Sequence, residues 1–158
     1  MTKEQIQAFT LRVAHANKTS MIVILYDITI TYLEEASNGL RGDDKASFRT
    51  AIDRARATIN ELIKSVDTSV EPGMTILRLY IFASGELTKA FINYDEAHIM
   101  NVRRIIEGLK SAYVIVCDKD KSPAVMGNSE KIYAGYTYGP TGNSESISDA
   151  DNTRGYLV

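Results

Sequence analysis

Apolar residues recur at steps of three and four over most of the chain before Asp118, the spacing that forms one face of an α-helix. The pattern is clearest between Asp43 and Val66, where charged residues such as Arg54 and Lys64 occupy the opposite face. It predicts a helix that starts at Asp43 or Asp44 and ends near Val66. Its apolar stripe comprises Phe48, Ala51, Ile52, Ala55, Ile59, Leu62, Ile63 and Val66.

The segment from Asn17 to Ala36 is more apolar than a surface helix requires. Its isoleucine, valine and threonine residues favour a β-strand locally. We nevertheless predict a helix, with Asn17 as its N-cap and with Asn38-Gly39 and Gly42-Asp43 marking its end. Because this helix is apolar nearly all round, it must be covered on more than one side. The stripe that we expect to face the core comprises Leu25, Ile28, Tyr32 and Ala36.

Three further helices follow from the same spacing. Residues 2–14 form a short amphipathic helix that starts with a capping box of Thr2 and Gln5. A fourth helix spans about Met74 to Ile92, and a fifth starts at Asp95 and ends near Cys117. The expected buried sets are Leu77, Tyr80, Ile81, Leu87, Ala90 and Phe91 in the fourth helix, and Ile99, Val102, Ile106, Leu109, Tyr113 and Val116 in the fifth.

These elements predict an all-α fold, an antiparallel up-and-down four-helix bundle with a short N-terminal helix and a non-helical C-terminal tail. The composition changes after Asp118, because residues 121–158 hold two of the three prolines and five of the ten glycines. We therefore expect a bundle domain at 1–120 and a Gly/Ser/Tyr-rich tail at 121–158. Three tyrosines, Tyr133, Tyr136 and Tyr138, are expected to hold the tail against the bundle.

Composition excludes several classes of partner and location. The net charge is −2, so the chain lacks the basic excess typical of nucleic-acid-binding proteins. No apolar run is long enough for a membrane-spanning helix, and the N-terminus lacks the apolar region of a signal peptide. Cys117 is the only cysteine and has no internal partner, which is typical of a reducing cytoplasm.

The sequence contains no pattern typical of an active site, a metal site or a cofactor site. The only histidines are His15 and His98, and one cysteine with two distant histidines does not supply the ligands of a zinc site. Neither histidine has the neighbours expected in a histidine phosphotransfer domain, so we interpret both as solvated surface residues. We therefore expect no enzyme activity and no cofactor, which leaves the apolar excess of the second helix as the main functional signal.

The second helix resembles the first long helix of the FliS-type flagellar export chaperones. The resemblance lies in a polar cap at Asn17, an aliphatic run, the Leu25-Tyr26-Asp27 motif and the stretch from Tyr32 to Ala36. In the same order as in that family follow Leu77-Arg-Leu-Tyr80, an Asn93-Tyr-Asp95 turn and a last amphipathic helix. This chain has Ile28-Thr29 where the family usually has Gly-Ala.

The resemblance implies a cytoplasmic chaperone that binds the C-terminal segment of flagellin, prevents premature polymerisation and presents its cargo to the export gate. We expect an amphipathic flagellin helix to lie in an apolar groove. The first helix, through Ile6 and Phe9, is expected to cover that groove until the partner displaces it. The expected groove residues lie off the predicted core stripe or on a neighbouring edge: Ile22, Tyr26, Thr29, Ile30, Leu33, Ile59 and Ile63.

Two other classes remain open from the sequence. One is a structural bundle that dimerises by burying the apolar face between two copies. The other is a histidine phosphotransfer domain that would use His98.

Overall fold

Five α-helices form the part of the chain that the computed structural model describes, residues 1–126, and that part contains no β-strand. The tyrosines at 133, 136 and 138 lie outside the described residues, so their predicted contact with the bundle stays a prediction. The helices are α1 (Lys3–Ala14), α2 (Lys18–Arg41), α3 (Lys45–Ser65), α4 (Gly73–Asn93) and α5 (Glu96–Lys119). The predicted all-α architecture is confirmed.

Polar side chains cap the start of four of the five helices in residues 1–126; α4 begins after Pro72 without a side-chain cap. The Thr2 hydroxyl accepts a hydrogen bond from the Gln5 N–H, and the Gln5 side chain accepts one from the Thr2 N–H, which confirms the capping box. The Asn17 side chain accepts from the Ser20 N–H at 2.8 Å. Asp44 caps α3 in the same way, through the Ser47 N–H at 3.0 Å. Each cap satisfies a backbone donor that the helix itself leaves free.

The predicted end of α2 is confirmed at Gly42, which is the C-cap of the helix, whereas Gly39 lies inside the helix. The role of Gly39 is close packing against α3. A Cβ atom at Gly39 would lie 2.8 Å from the backbone nitrogen of Phe48 and 3.0 Å from the Phe48 Cα. Neither atom can rotate away, so only glycine allows α2 and α3 to approach this closely.

The four long helices enclose one core. α2 contacts α3 and α5, and α4 contacts the same two helices from the other side, so α2 and α4 lie diagonally across the bundle. α1 contacts α2 outside this arrangement. The largest fully buried side chains include Tyr26, Leu33, Phe48, Ile52, Ile59, Leu62, Tyr80, Leu87, Ile99 and Ile106.

Two tyrosine hydroxyls meet in the centre of this core. Tyr26 from α2 and Tyr80 from α4 are hydrogen-bonded at 2.5 Å between their hydroxyl oxygens, and the Tyr113 ring lies edge-on to Tyr26. Burial raises the pKa of Tyr80 to about 12 and raises the pKa of Tyr26 as well. Both hydroxyls therefore stay neutral, and one donates a hydrogen bond to the other across the bundle.

Two predicted core residues are exposed. Ile81 is 57% exposed because it follows Tyr80 directly and so points about 100° away from the buried row of Tyr80, Ala83, Leu87 and Ala90. Val116 is 54% exposed because a repeat of 3.5 residues drifts by about 20° per heptad on a straight helix. The drift carries the end of the predicted α5 seam off the buried face.

Candidate partner-binding surface on the second helix

The structure corrects the predicted division of α2 into a core face and a partner face. Tyr26, Thr29 and Leu33 are at most 1% exposed in the chain's own core, and so is Ile59 on α3. The expected core stripe of Leu25, Ile28 and Tyr32 is only half-buried. The buried row Tyr26–Thr29–Leu33–Ala36 also steps by three and four, so periodicity alone could not distinguish the two rows.

The other three predicted partner residues keep partial exposure. Ile22, Ile30 and Ile63 each pack against the core from its edge. Ile22 also lines a cavity of about 220 Å³ at the end of the bundle, with Val66, Ile76 and Tyr113. The seven predicted residues therefore do not form one open groove, and contact between any of them and a partner stays a prediction.

The outer face of α2 is covered by α1. Ile24 is only 3% exposed, yet it does not belong to the core cluster of the bundle. Ile24 and Val23 instead line a cavity of about 430 Å³ with Leu11 of α1 and with His15, the C-cap of that helix. Ile24 points outward from α2, in the same row as Ile28, Thr31 and Glu35. We call this row, Ile24–Ile28–Thr31–Glu35, the outer face of α2.

Charged contacts hold α1 to α2 at both ends. The N-terminal ammonium group of Met1 pairs with Glu35. The Arg12 guanidinium lies 2.6 Å from the Asp27 carboxylate, which also accepts from the Lys110 ammonium of α5 at 2.6 Å. Asp27 thus joins three helices, a role that its neighbours in the sequence do not indicate. The only signal for it was a single acidic residue inside a long apolar run.

Apolar contacts hold α1 to α2 only weakly. No residue of α1 is buried, Ile6 is 50% exposed and Phe9 is half-buried beside the Arg12 guanidinium. A helix of 12 residues is marginal by itself in water. α1 therefore depends on a few contacts with α2 and covers apolar surface without becoming part of the core.

The chain after α5 returns to the junction between α1 and α2. The Val125 N–H donates to the Ala16 carbonyl at 2.9 Å, and the Thr19 hydroxyl donates to the Asp120 carboxylate at 2.5 Å. Hydrogen bonds from Ser122 and Thr19 lower the pKa of Asp120 to about 2, so this carboxylate is charged at neutral pH. These bonds fix the start of α2 from outside the bundle.

His98 is not the solvated residue that the sequence suggested. Its Nδ1 atom lies 2.9 Å from the Glu86 carboxylate, which also accepts from Asn101 at 2.9 Å and from Lys89 at 2.8 Å. The Asn101, Lys89 and His98 hydrogen bonds, in that order, lower the pKa of Glu86 to about 2. His98 Nε2 lies 3.9 Å from Asp95. Because Glu86 lies on α4 and both His98 and Asn101 lie on α5, this cluster joins the two helices.

Two kinds of feature are absent from the described residues, a membrane-spanning helix and a metal-binding cluster. Between residues 1 and 126, no helix is long and apolar enough to cross a membrane. The same part of the chain contains no group of three or more histidine, cysteine, aspartate or glutamate side chains placed to hold a metal ion.

Comparison with known proteins identifies the family. A search of curated proteins found no significant match. The family model described as flagellar protein FliS matches residues 1–120, which is most of the chain and includes all five helices. The all-helical bundle and the Leu25-Tyr26-Asp27 motif agree with this match. The chain therefore belongs to the FliS family of flagellar export chaperones.

Proposed function

We propose that this chaperone binds the C-terminal segment of flagellin in the cytoplasm, on the outer face of α2 that α1 covers in the free chain. The observation that supports this most strongly is Ile24, which is 3% exposed beneath a helix that buries no residue of its own. An apolar surface with a weakly held cover suits a partner that competes for it. The family match to a flagellar export chaperone is consistent with such a cargo.

The proposed partner binds as an amphipathic helix. A segment that is disordered alone pays an entropic cost when it folds on a surface, and burial of its apolar face offsets that cost. On α2 it would find Ile24 and Ile28, with Ile22, Ile30 and Ile63 at the neighbouring edges. Tyr26, Thr29, Leu33 and Ile59 support this surface from the core below. Exchange of one helix for another needs neither a nucleotide nor catalysis.

Deletion of residues 1–14 tests the exchange. We expect calorimetry with a synthetic flagellin C-terminal peptide to show tighter binding to the deleted chain than to the full chain, because α1 no longer competes. The substitution Ile28→Glu should weaken binding in both backgrounds. Ile115→Glu is the matched control, since Ile115 is an exposed isoleucine on α5. Weaker binding after the deletion would show that α1 contributes to the site instead of covering it.

Presentation of the complex to the export gate is the second half of the proposal. A chaperone that keeps its cargo in a folded complex presents one defined surface to the secretion apparatus. Pull-down of purified export-gate protein by the chaperone–peptide complex, and not by the free chaperone, is the expected result. If the complex and the free chaperone recovered the export-gate protein equally, the result would count against a role for the cargo in gate recognition.

A dimerisation bundle is the competing function. If the outer face of α2 paired with a second copy, deletion of α1 would produce a dimer in sedimentation velocity, and flagellin peptide would not dissociate it. We expect instead that the chain without α1 forms a one-to-one complex with the peptide.

A further inference from the structure

The outward face of α4 carries an apolar stripe that no described element covers. Met74, Ile81, Phe82 and Ile92 are between 42% and 67% exposed, and all four lie on an arc of about 100° along the helix. The arc points away from the core, because Tyr80, Ala83, Leu87 and Ala90 occupy the opposite side. α4 lies diagonally across the bundle from α2, so this stripe is separate from the outer face of α2.

Gly85 lies in the middle of this stripe. A Cβ atom placed on it would meet no atom within 4 Å, so the bundle itself does not require glycine there. Glycine inside a helix is less stable than alanine. The bare backbone forms a shallow notch between Ile81 and Ile92, which allows another helix to approach closely. Gly39 has this function inside the chain, where it admits the backbone of Phe48.

The charged residues that share this arc of α4 are positive. Arg78 is exposed and has no ion-pair partner among residues 1–126, and the exposed Lys89 stands on the same side. The only acidic residue of α4 is Glu86, which is 4% exposed and already bound by Lys89, His98 and Asn101. The surface around the stripe therefore favours a partner with carboxylates beside its apolar face.

A second copy of this chain does not fit the stripe. Four side chains of this size, about half exposed, present on the order of 450 Å² of apolar surface, whereas a stable dimer buries about 800 Å² on each partner. A two-fold dimer would also place α4 against α4, with Arg78 and Lys89 on both sides and no free carboxylate between them. A single docked helix needs less area.

We propose that the α4 stripe is a second docking surface, which binds an amphipathic helix with acidic flanks from another protein. The apolar face of that helix would cover Ile81 and Phe82, its backbone would approach Gly85, and its carboxylates would pair with Arg78 and Lys89. This surface goes beyond the proposed flagellin site, because it leaves α1 and α2 free.

Two synthetic peptides of the same length as α4, 21 residues, provide the test. Both carry leucines at helical spacing; one has glutamates beside the leucines and the other has lysines. We expect the glutamate peptide to bind about tenfold more tightly, and Arg78→Glu to remove that preference. Ile81→Glu should weaken binding about tenfold or more. Equal binding of the two peptides would overturn the proposal.

Matched variants locate the binding site. Ile115→Glu on α5 should leave the affinity for the glutamate peptide unchanged, and Gly85→Leu should weaken it by filling the notch. Gly108→Leu on α5 is the control, since a Cβ at Gly108 also meets no atom within 4 Å. Loss of binding in the α5 variants instead of the α4 variants would contradict the assignment.

Two further measurements separate the competing occupants. A flagellin C-terminal peptide should bind Ile81→Glu as tightly as it binds the unchanged chain; loss of that binding would make the stripe part of the flagellin site and overturn the proposal of a second surface. Failure of flagellin binding to the unchanged chain would refute the proposed function and leave the α4 result standing. A dimer that Ile81→Glu dissociates in sedimentation velocity would identify a second copy as the occupant.

Discussion

The ion pair between Arg12 and Asp27 offers a graded way to loosen α1 without deleting it. The Arg12 side chain is 45% exposed and the Asp27 side chain 18% exposed, so water screens the pair in part. Such a pair contributes about 0.5–1 kcal/mol, at the upper end of the range for surface pairs. Arg12→Ala should therefore make α1 easier to displace by that amount.

The expected consequence is tighter flagellin binding. If α1 and the flagellin peptide compete for the outer face of α2, the apparent dissociation constant falls as the uncovered fraction rises. A loss of about 0.5–1 kcal/mol from the α1 contact corresponds to an affinity gain of roughly two- to fivefold. Calorimetry with the peptide measures that gain, and NMR chemical shifts of α1 residues report whether α1 has loosened.

Lys110→Ala is the matched control, because Lys110 binds the same carboxylate from α5. Its removal leaves Asp27 to Arg12 alone, so α1 should stay in place and the affinity should not rise. Arg12→Ala should have no further effect in a chain that lacks residues 1–11. A chain in which Arg12→Ala loosens α1 by NMR while the peptide affinity stays the same would refute competition between α1 and flagellin.

Two further predictions concern the bundle. The pKa of Glu86 is lowered to about 2, so the contribution of its carboxylate to stability is complete above the ordinary value of 4.5 and is lost as the pH falls through 2. The free energy of unfolding, measured in urea, should therefore fall as the pH is lowered from 5 to 2. Glu86→Gln should make that fall smaller. Gly39→Ala should destabilise the fold by about 1–3 kcal/mol because its Cβ would clash with the Phe48 backbone, whereas Gly85→Ala should stabilise it by about 1 kcal/mol. Urea midpoints that shift in opposite directions in the two variants would confirm both predictions. Equal shifts would contradict the packing that we assign to Gly39.

The helices could be predicted from the sequence because their signals are local. Thr2, Asn17, Asp44 and Asp95 each stand within three residues of the N–H that they cap, so short sequence windows contain the whole interaction. The end of α2 shows the limit of such local signals, because Gly42 caps the helix while Gly39 does not. Gly39 looks like a helix terminator in sequence, and only the position of Phe48 on the next helix shows that it serves packing.

The faces of α2 could not be predicted, because its pattern is apolar in almost every direction. A stripe of Leu25, Ile28 and Tyr32 and a row of Tyr26, Thr29 and Leu33 fit helical spacing equally well. Which row faces the core depends on where α3 and α5 lie. The burial of Ile24 depends further on α1, so it reflects tertiary contacts that periodicity does not record.

Contacts between residues far apart in the chain also could not be predicted from the sequence. His98 and Glu86 stand 12 residues apart on two helices, and Asp27 and Lys110 belong to helices at opposite ends of the chain. Nothing in their immediate neighbours marks them as pairs. The positive flank of α4 likewise becomes visible only once Glu86 is seen to be buried and bound.

Displacement of α1 by the partner is the central claim of the account, and NMR of the full chain titrated with a flagellin C-terminal peptide tests it most directly. At saturation, the signals of Ile6, Phe9 and Leu11 should move to the positions of an unfolded chain, while those of Ile24 and Ile28 shift because a new helix covers them. Signals of α1 that stay helical, together with shifts confined to other faces of the bundle, would contradict the claim.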